Sequence, residues 1–189
     1  SAGGTVAIVT GPRDELYLVK QQKLQPVVKL SFSPTCVAVS PNEGMLAVGG
    51  EGEPASVFLL DGSGAQKMEL KGHNMAISAL AFSPDGAKLA SGCANKEIIV
   101  WDAASGEKLV SGLKGFHVAR ISTLAWNSKG VLASGGIDST ILVWDLEAKK
   151  AAKTFKLAHT GGGVNALCWV DDATVVSGGS DACIKTWSV

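Results

Sequence analysis

Tryptophan recurs at a fixed interval in this chain: Trp101, Trp144 and Trp187 stand 43 residues apart. A period of this length marks a supersecondary unit repeated in tandem, because one such unit cannot bury its apolar face alone and must stack on a neighbour. Around each tryptophan the same order returns. One unit reads Gly72-His73, Ile77 to Phe82, Ser83-Pro84-Asp85-Gly86, Leu89-Ala90-Ser91-Gly92, then Ile98 to Trp101-Asp102. The next reads His117, Ile121 to Trp126, Leu132-Ala133-Ser134-Gly135, Asp138, then Ile141 to Trp144-Asp145; the last runs from His159 through Val164 to Trp169 and Val175-Val176-Ser177-Gly178 to Trp187.

The apolar runs are four to six residues long and bounded by Ser, Asn, Asp or Gly, and none keeps helical periodicity for three turns. The fold class is therefore all-β, with a four-stranded antiparallel sheet per unit, and the units resemble the blades of a WD-repeat β-propeller. A degenerate unit precedes them, with Cys36 to Ser40, Leu46 to Gly49 and Val57 to Asp61, and with Leu60 in the place of Trp. Blade limits follow at 5–32 (incomplete), 33–72 (degenerate), 73–116, 117–158 and 159–189. About eighteen strands are predicted, the first blade lacking its innermost strand and the last its outermost. Unpaired terminal blades would expose edges and apolar flanks. The missing blades are thus expected from the rest of a parent protein or from another copy.

Charge narrows the partners. Seventeen basic and 17 acidic side chains give a formal net charge of zero, whereas a phosphate backbone or an anionic membrane surface selects for clustered Lys and Arg. Protein partners are expected, with no nucleic acid and no membrane. The four cysteines form no close-spaced metal or redox pair. Cys36, Cys93 and Cys168 lie in or beside apolar runs, where a thiol behaves as a small buried hydrophobe, so a reduced, intracellular compartment is expected. Ser1 to Gly4 reads as a cleavage remnant, not a signal peptide, and no apolar run is long enough to span a bilayer.

His, Ser, Asp and Trp recur together as His117, Ser134, Asp138 and Trp144, then as His159, Ser177, Asp181 and Trp187. Such a set invites a hydrolase reading, but a protein seldom needs one catalytic set in successive repeats, whereas a scaffold repeats its locks. The structural expectation is a chain in which the Asp orients the imidazole, the imidazole reaches Ser, and Ser accepts from the indole. In the preceding unit, His73, Ser91 and Trp101 keep the pattern with Asn95 in the place of Asp. An amide makes no charge-assisted bond, so that lock is expected to be weaker.

The degenerate unit has lost the set. Its Glu51 and Glu53 read as ordinary exposed acids or, on a second reading, as rim contacts for a basic partner. Trp126 and Trp169, at the position of Phe82, are expected to fill the wedge between blades. Gly161-Gly162-Gly163 is not followed by the Lys-Ser/Thr of a phosphate loop, and the histidines are too far apart for a His-x-x-x-His zinc site. No catalytic, metal or cofactor site is expected, and the chain is read as not an enzyme.

The final unit, with Ala158-His159, Val164-Asn165-Ala166-Leu167-Cys168-Trp169 and Ile184-Lys185-Thr186-Trp187, is similar to the last blade of the actin-interacting protein 1 family. Pro34-Thr35-Cys36-Val37-Ala38-Val39 and the order of a Trp-less blade before ordinary ones extend the resemblance over most of the chain. It implies two linked seven-bladed propellers in the parent protein, binding to actin filaments decorated with cofilin, promotion of their disassembly, and a cytoplasmic, cytoskeleton-associated location. The chain would then be the later part of the second propeller, while the family's filament contacts fall largely on the first. A general interaction scaffold unrelated to actin is the alternative. For either role the rim loops are the expected contact surface, with Lys71, Asn74, Lys96, Lys114, Phe116 and Arg120 as candidates.

Overall fold

The computed structural model describes residues 4–10, 13–113 and 116–189. Among them nineteen strands form five antiparallel sheets. The first holds β1 (Val6–Thr10), β2 (Glu15–Lys20) and two short strands, β3 (Lys23–Leu24) and β4 (Val28–Lys29), both paired to β2. The second holds β5 (Pro34–Val39), β6 (Met45–Gly50), β7 (Ala55–Asp61) and β8 (Gln66–His73). The third holds β9 (Ile77–Phe82), β10 (Lys88–Cys93), β11 (Ile98–Asp102) and β12 (Lys108–Leu113). The fourth holds β13 (Ile121–Trp126), β14 (Leu132–Gly136), β15 (Ile141–Asp145) and β16 (Lys150–Phe155). The fifth holds β17 (Val164–Trp169), β18 (Thr174–Gly179) and β19 (Ile184–Ser188).

Local chemistry sets the hairpins. Between β9 and β10, the Asp85 carboxylate accepts from the Ser83 hydroxyl at 2.5 Å and from the Ala87 amide at 3.0 Å. Gly86 takes the left-handed conformation (φ +73°) that closes the turn. Asn127 does the same work between β13 and β14, accepting from the amides of Lys129 and Val131 at 3.0 and 2.8 Å.

The sheets stack because their middle strands are apolar on both faces. Along β11, Ile99 and Trp101 join the core shared with the second sheet, while Ile98 and Val100 join the core shared with the fourth. Successive side chains of a strand point to opposite faces, so a strand buried on both sides must be apolar without a break. Each such side chain contributes about 1.5–3 kcal/mol on burial. Glycine lets the sheets approach. A Cβ on Gly92 would lie 2.7 Å from Ile121 Cγ2, and one on Gly135 would lie 2.7 Å from Val164 Cγ1.

Strands β1, β5, β9, β13 and β17 lie side by side in that order, as the inner row of the stack. This corrects two expectations. The first sheet does not lack its innermost strand: β1 flanks β5 as β5 flanks β9, and it is the outer part of that sheet that is fragmentary. The strand count rises by one through β3, which is only two residues long and too short for a periodic signal. A third correction concerns cysteine. Cys93 is buried and Cys36 partly so, but Cys168 and Cys183 are exposed. Cys168 lies on β17, whose far flank meets no further sheet among the described residues. Burial pushes the Cys36 thiol up to about 11.

Candidate protein-interaction surface

The recurring polar residues converge at the junction between one sheet's outer strand and the next sheet's inner strand. His117 follows β12 and precedes β13; its Nε2 lies 2.8 Å from Ser134 Oγ, and its Nδ1 lies 3.1 Å from Asp138 Oδ2. Trp144 Nε1 donates to the same Ser134 oxygen at 2.9 Å. In the fifth sheet His159 Nδ1 is 2.7 Å from Asp181, His159 Nε2 is 2.8 Å from Ser177 Oγ, and Trp187 Nε1 donates to Ser177 Oγ at 2.8 Å. In the third, His73 Nε2 and Trp101 Nε1 both lie 2.7 Å from Ser91 Oγ. A proton on Nδ1 satisfies the fourth and fifth networks throughout: imidazole donates to carboxylate, serine to Nε2, and indole to serine.

The carboxylates also hold the backbone. Asp138 Oδ2 accepts from the Val118 amide at 2.7 Å and Oδ1 from the Thr140 amide at 3.0 Å. Burial pushes the Asp138 carboxyl up, but the hydrogen bonds from His117 and these amides outweigh it and leave the group below its ordinary value. Asp181 is held well below the usual carboxylate range, chiefly by His159. Lys185 contributes as well, its Nζ lying 3.1 Å from Asp181 Oδ2 and 2.8 Å from the Ala158 carbonyl. Lys185 occupies the place of Ile99 and Leu142 in the earlier repeats, and sequence reasoning missed it because its meaning depends on the facing turn. Ser91, Ser134 and Ser177 are all buried beneath their histidine and tryptophan, a poor setting for a nucleophile that must meet substrate.

Further ties between sheets were not legible as motifs. Ser78 Oγ donates to the Ile121 carbonyl at 2.5 Å, and Ser122 Oγ donates to the Val164 carbonyl. Thr35, Ser78, Ser122 and Asn165, each the second residue of an inner strand, line a cavity of about 400 Å³. Glu51 and Arg120 line the same cavity, so it carries one group of each charge.

The rim candidates do not form one patch. Lys96 is exposed in the turn between β10 and β11, in a left-handed conformation (φ +66°). Lys71 is exposed and pairs with Glu69 at 3.5 Å, and Asn74 is exposed just beyond β8. Arg120 lines the cavity shared with Thr35, Ser78, Ser122 and Asn165, whereas Phe116 lines a separate cavity on the fourth sheet. Lys114 lies outside the described residues. Phe116 is both staple and surface: its ring packs edge-on against Trp144, with centroids 5.1 Å apart, while 40% of it stays exposed.

With this geometry established, comparison with known proteins identifies the repeat. The family described as WD domain, G-beta repeat matches residues 64–102, 107–145 and 150–188. The chain belongs to the WD-repeat family. Each matched WD unit starts at the outer strand of one sheet and ends at the third strand of the next, so every repeat spans a sheet boundary. That offset is why a lock histidine arriving from an outer strand is anchored in the following sheet. As a WD-repeat chain it is a non-catalytic scaffold. Among the described residues no group of three or more His, Cys, Asp or Glu side chains is placed to hold a metal ion. No helix among them is long and apolar enough to cross a membrane.

The chain is distantly related to members of the actin-interacting protein 1 family. It is 35% identical over 127 residues to the 66 kDa stress protein of Physarum polycephalum, covering 67% of this chain and 21% of that protein. It is 34% identical over 110 residues to actin-interacting protein 1-2 of Arabidopsis thaliana, covering 58% of this chain and 18% of that protein. The similarity to actin-interacting protein 1 of Caenorhabditis elegans is 29% over 128 residues, with 67% and 21% covered. The chain thus spans about a fifth of the length of these relatives.

Proposed function

We propose that this WD-repeat chain is part of an actin-binding cofactor that promotes disassembly of cofilin-decorated filaments in the cytoplasm. The supporting observation is its similarity to proteins named for interaction with actin, which extends over more than half of the chain. On this reading the five sheets belong to a seven-bladed ring whose other blades come from the rest of the protein or from another copy. The polar chains hold adjoining sheets in register, and the rim loops, with Lys96, Lys114, Phe116 and Arg120, meet the partner. Affinity would come from a few anchors carried on these loops. Cosedimentation of the full-length protein with bare and with cofilin-decorated filaments is the test. Binding and faster disassembly only on decorated filaments are expected; absence of both would overturn the proposal.

A second reading is a general scaffold unrelated to actin. The balanced charge favours it, because a neutral surface shows no commitment to a strongly charged partner. Stable capture of a defined non-actin complex by the full-length protein, with no effect on filaments, would establish it.

A further inference from the structure

The cavity beside Phe116 has a volume of about 570 Å³, of the size that accepts bulky side chains from a partner. Its walls are Phe116, Val118 and Leu157, with Leu142 buried at its floor. Val118 is 75% and Leu157 77% exposed, so both present nearly whole apolar side chains to solvent. Leu157 is anomalous twice over. It carries its exposed side chain on a left-handed backbone (φ +54°), which is costly for any residue with a Cβ. Two residues before the lock histidine, the preceding repeat has Gly115 where this one has Leu157. Neither burial nor backbone preference accounts for leucine at this position.

Charge supplies the second half. The cavity is lined by one carboxylate, Asp138, and one cation, Lys156. Both Asp138 oxygens are taken from within, by His117 and by the amides of Val118 and Thr140, and the side chain is 3% exposed. Lys156 is exposed at the edge. The groove therefore shows a partner three apolar side chains and a positive charge. We propose that it binds an extended segment of another protein in which a bulky apolar residue is flanked by Asp or Glu. The apolar residue would enter between Phe116 and Leu157, and the acid would pair with Lys156. The site rests on the chain acting as a protein-binding scaffold, and not on actin being the partner.

Fluorescently labelled nonapeptides with Leu, Ile, Phe, Met or Trp at the centre, flanked by Asp and Glu, are titrated into the full-length protein. At least one is expected to bind saturably, and replacing its acids by Lys should weaken it. Leu157→Asn should weaken binding about fivefold or more, as loss of an interface anchor does. It should leave the thermal midpoint unchanged or raised, since Asn accepts the left-handed conformation. Leu157→Gly is the second variant and should behave alike. Lys156→Glu should reverse the preference toward the Lys-bearing peptide. No saturable binding by any peptide, or equal binding to the Leu157 variants, would overturn the proposal. So would self-association in sedimentation that disappears on Leu157→Asn, because the occupant would then be a second copy. Cosedimentation with decorated filaments is run on the same samples. Filament binding without peptide binding removes the groove alone, and the converse removes the actin reading alone.

Discussion

Trp126 Nε1 donates a 3.0 Å hydrogen bond to the carbonyl oxygen of Ala81, one sheet away, and Trp169 repeats the bond to Ala125 at 3.2 Å. Each indole thus fills the wedge between inner strands and ties its sheet to the one before it. A buried indole N–H needs an acceptor, and here the acceptor lies across the interface. Phe82, at the corresponding position of the third sheet, packs but cannot donate.

Trp126→Phe keeps most of the apolar volume and removes the donor. It is expected to lower stability by about 1 kcal/mol, the net worth of one hydrogen bond. Trp126→Ala should cost about 3–5 kcal/mol through the cavity it leaves. Denaturant midpoints measure both, and an unchanged midpoint for the Phe variant would mean that the cross-sheet bond adds nothing.

Ser134→Ala leaves the indole N–H of Trp144 and the Nε2 of His117 without their shared partner. With both groups buried, the loss should be about 2–4 kcal/mol. The result distinguishes lock from nucleophile. A variant that kept its thermal midpoint but lost a hydrolytic activity would revive the enzymatic reading.

A Cβ at Gly92 meets Ile121, whereas no described heavy atom lies within 4 Å of the place a Cβ on Gly178 would occupy. Gly92→Ala should therefore cost about 1–3 kcal/mol by overpacking. Gly178→Ala, in the same unfolding assay on the 189-residue chain, should stay within about 0.5 kcal/mol. Equal costs at the two sites would contradict the close approach of β10 to β13.

Acid should weaken the stack in a defined window. Asp138 and Asp181 sit below their ordinary values in the folded chain, so their contribution is fully present above the unfolded carboxylate value of about 4. It is lost progressively as pH falls below that value through the folded ones. Asp138→Asn should be less stable than wild type at pH 7, and the two should converge as pH falls. Parallel stability curves between about pH 5 and 2 would show that this carboxylate is not linked to folding.

Residue order alone carried the repeat interval, the strand-sized apolar runs and the recurrence of His, Ser, Asp and Trp. These depend on local periodicity and on turn chemistry, which a linear string displays directly. The place of β1 in the inner row did not appear there, nor did the reach of Trp126 to Ala81 or the meeting of Lys185 with Asp181. The separation of Phe116 from Arg120 into different cavities was equally hidden. Each of these relates groups on different sheets or at opposite ends of a turn. Period two tells which residues share a face of a strand, but not which neighbour that face will meet. Stacking settles that choice, because only the assembled sheets bring such distant atoms within hydrogen-bonding or packing range.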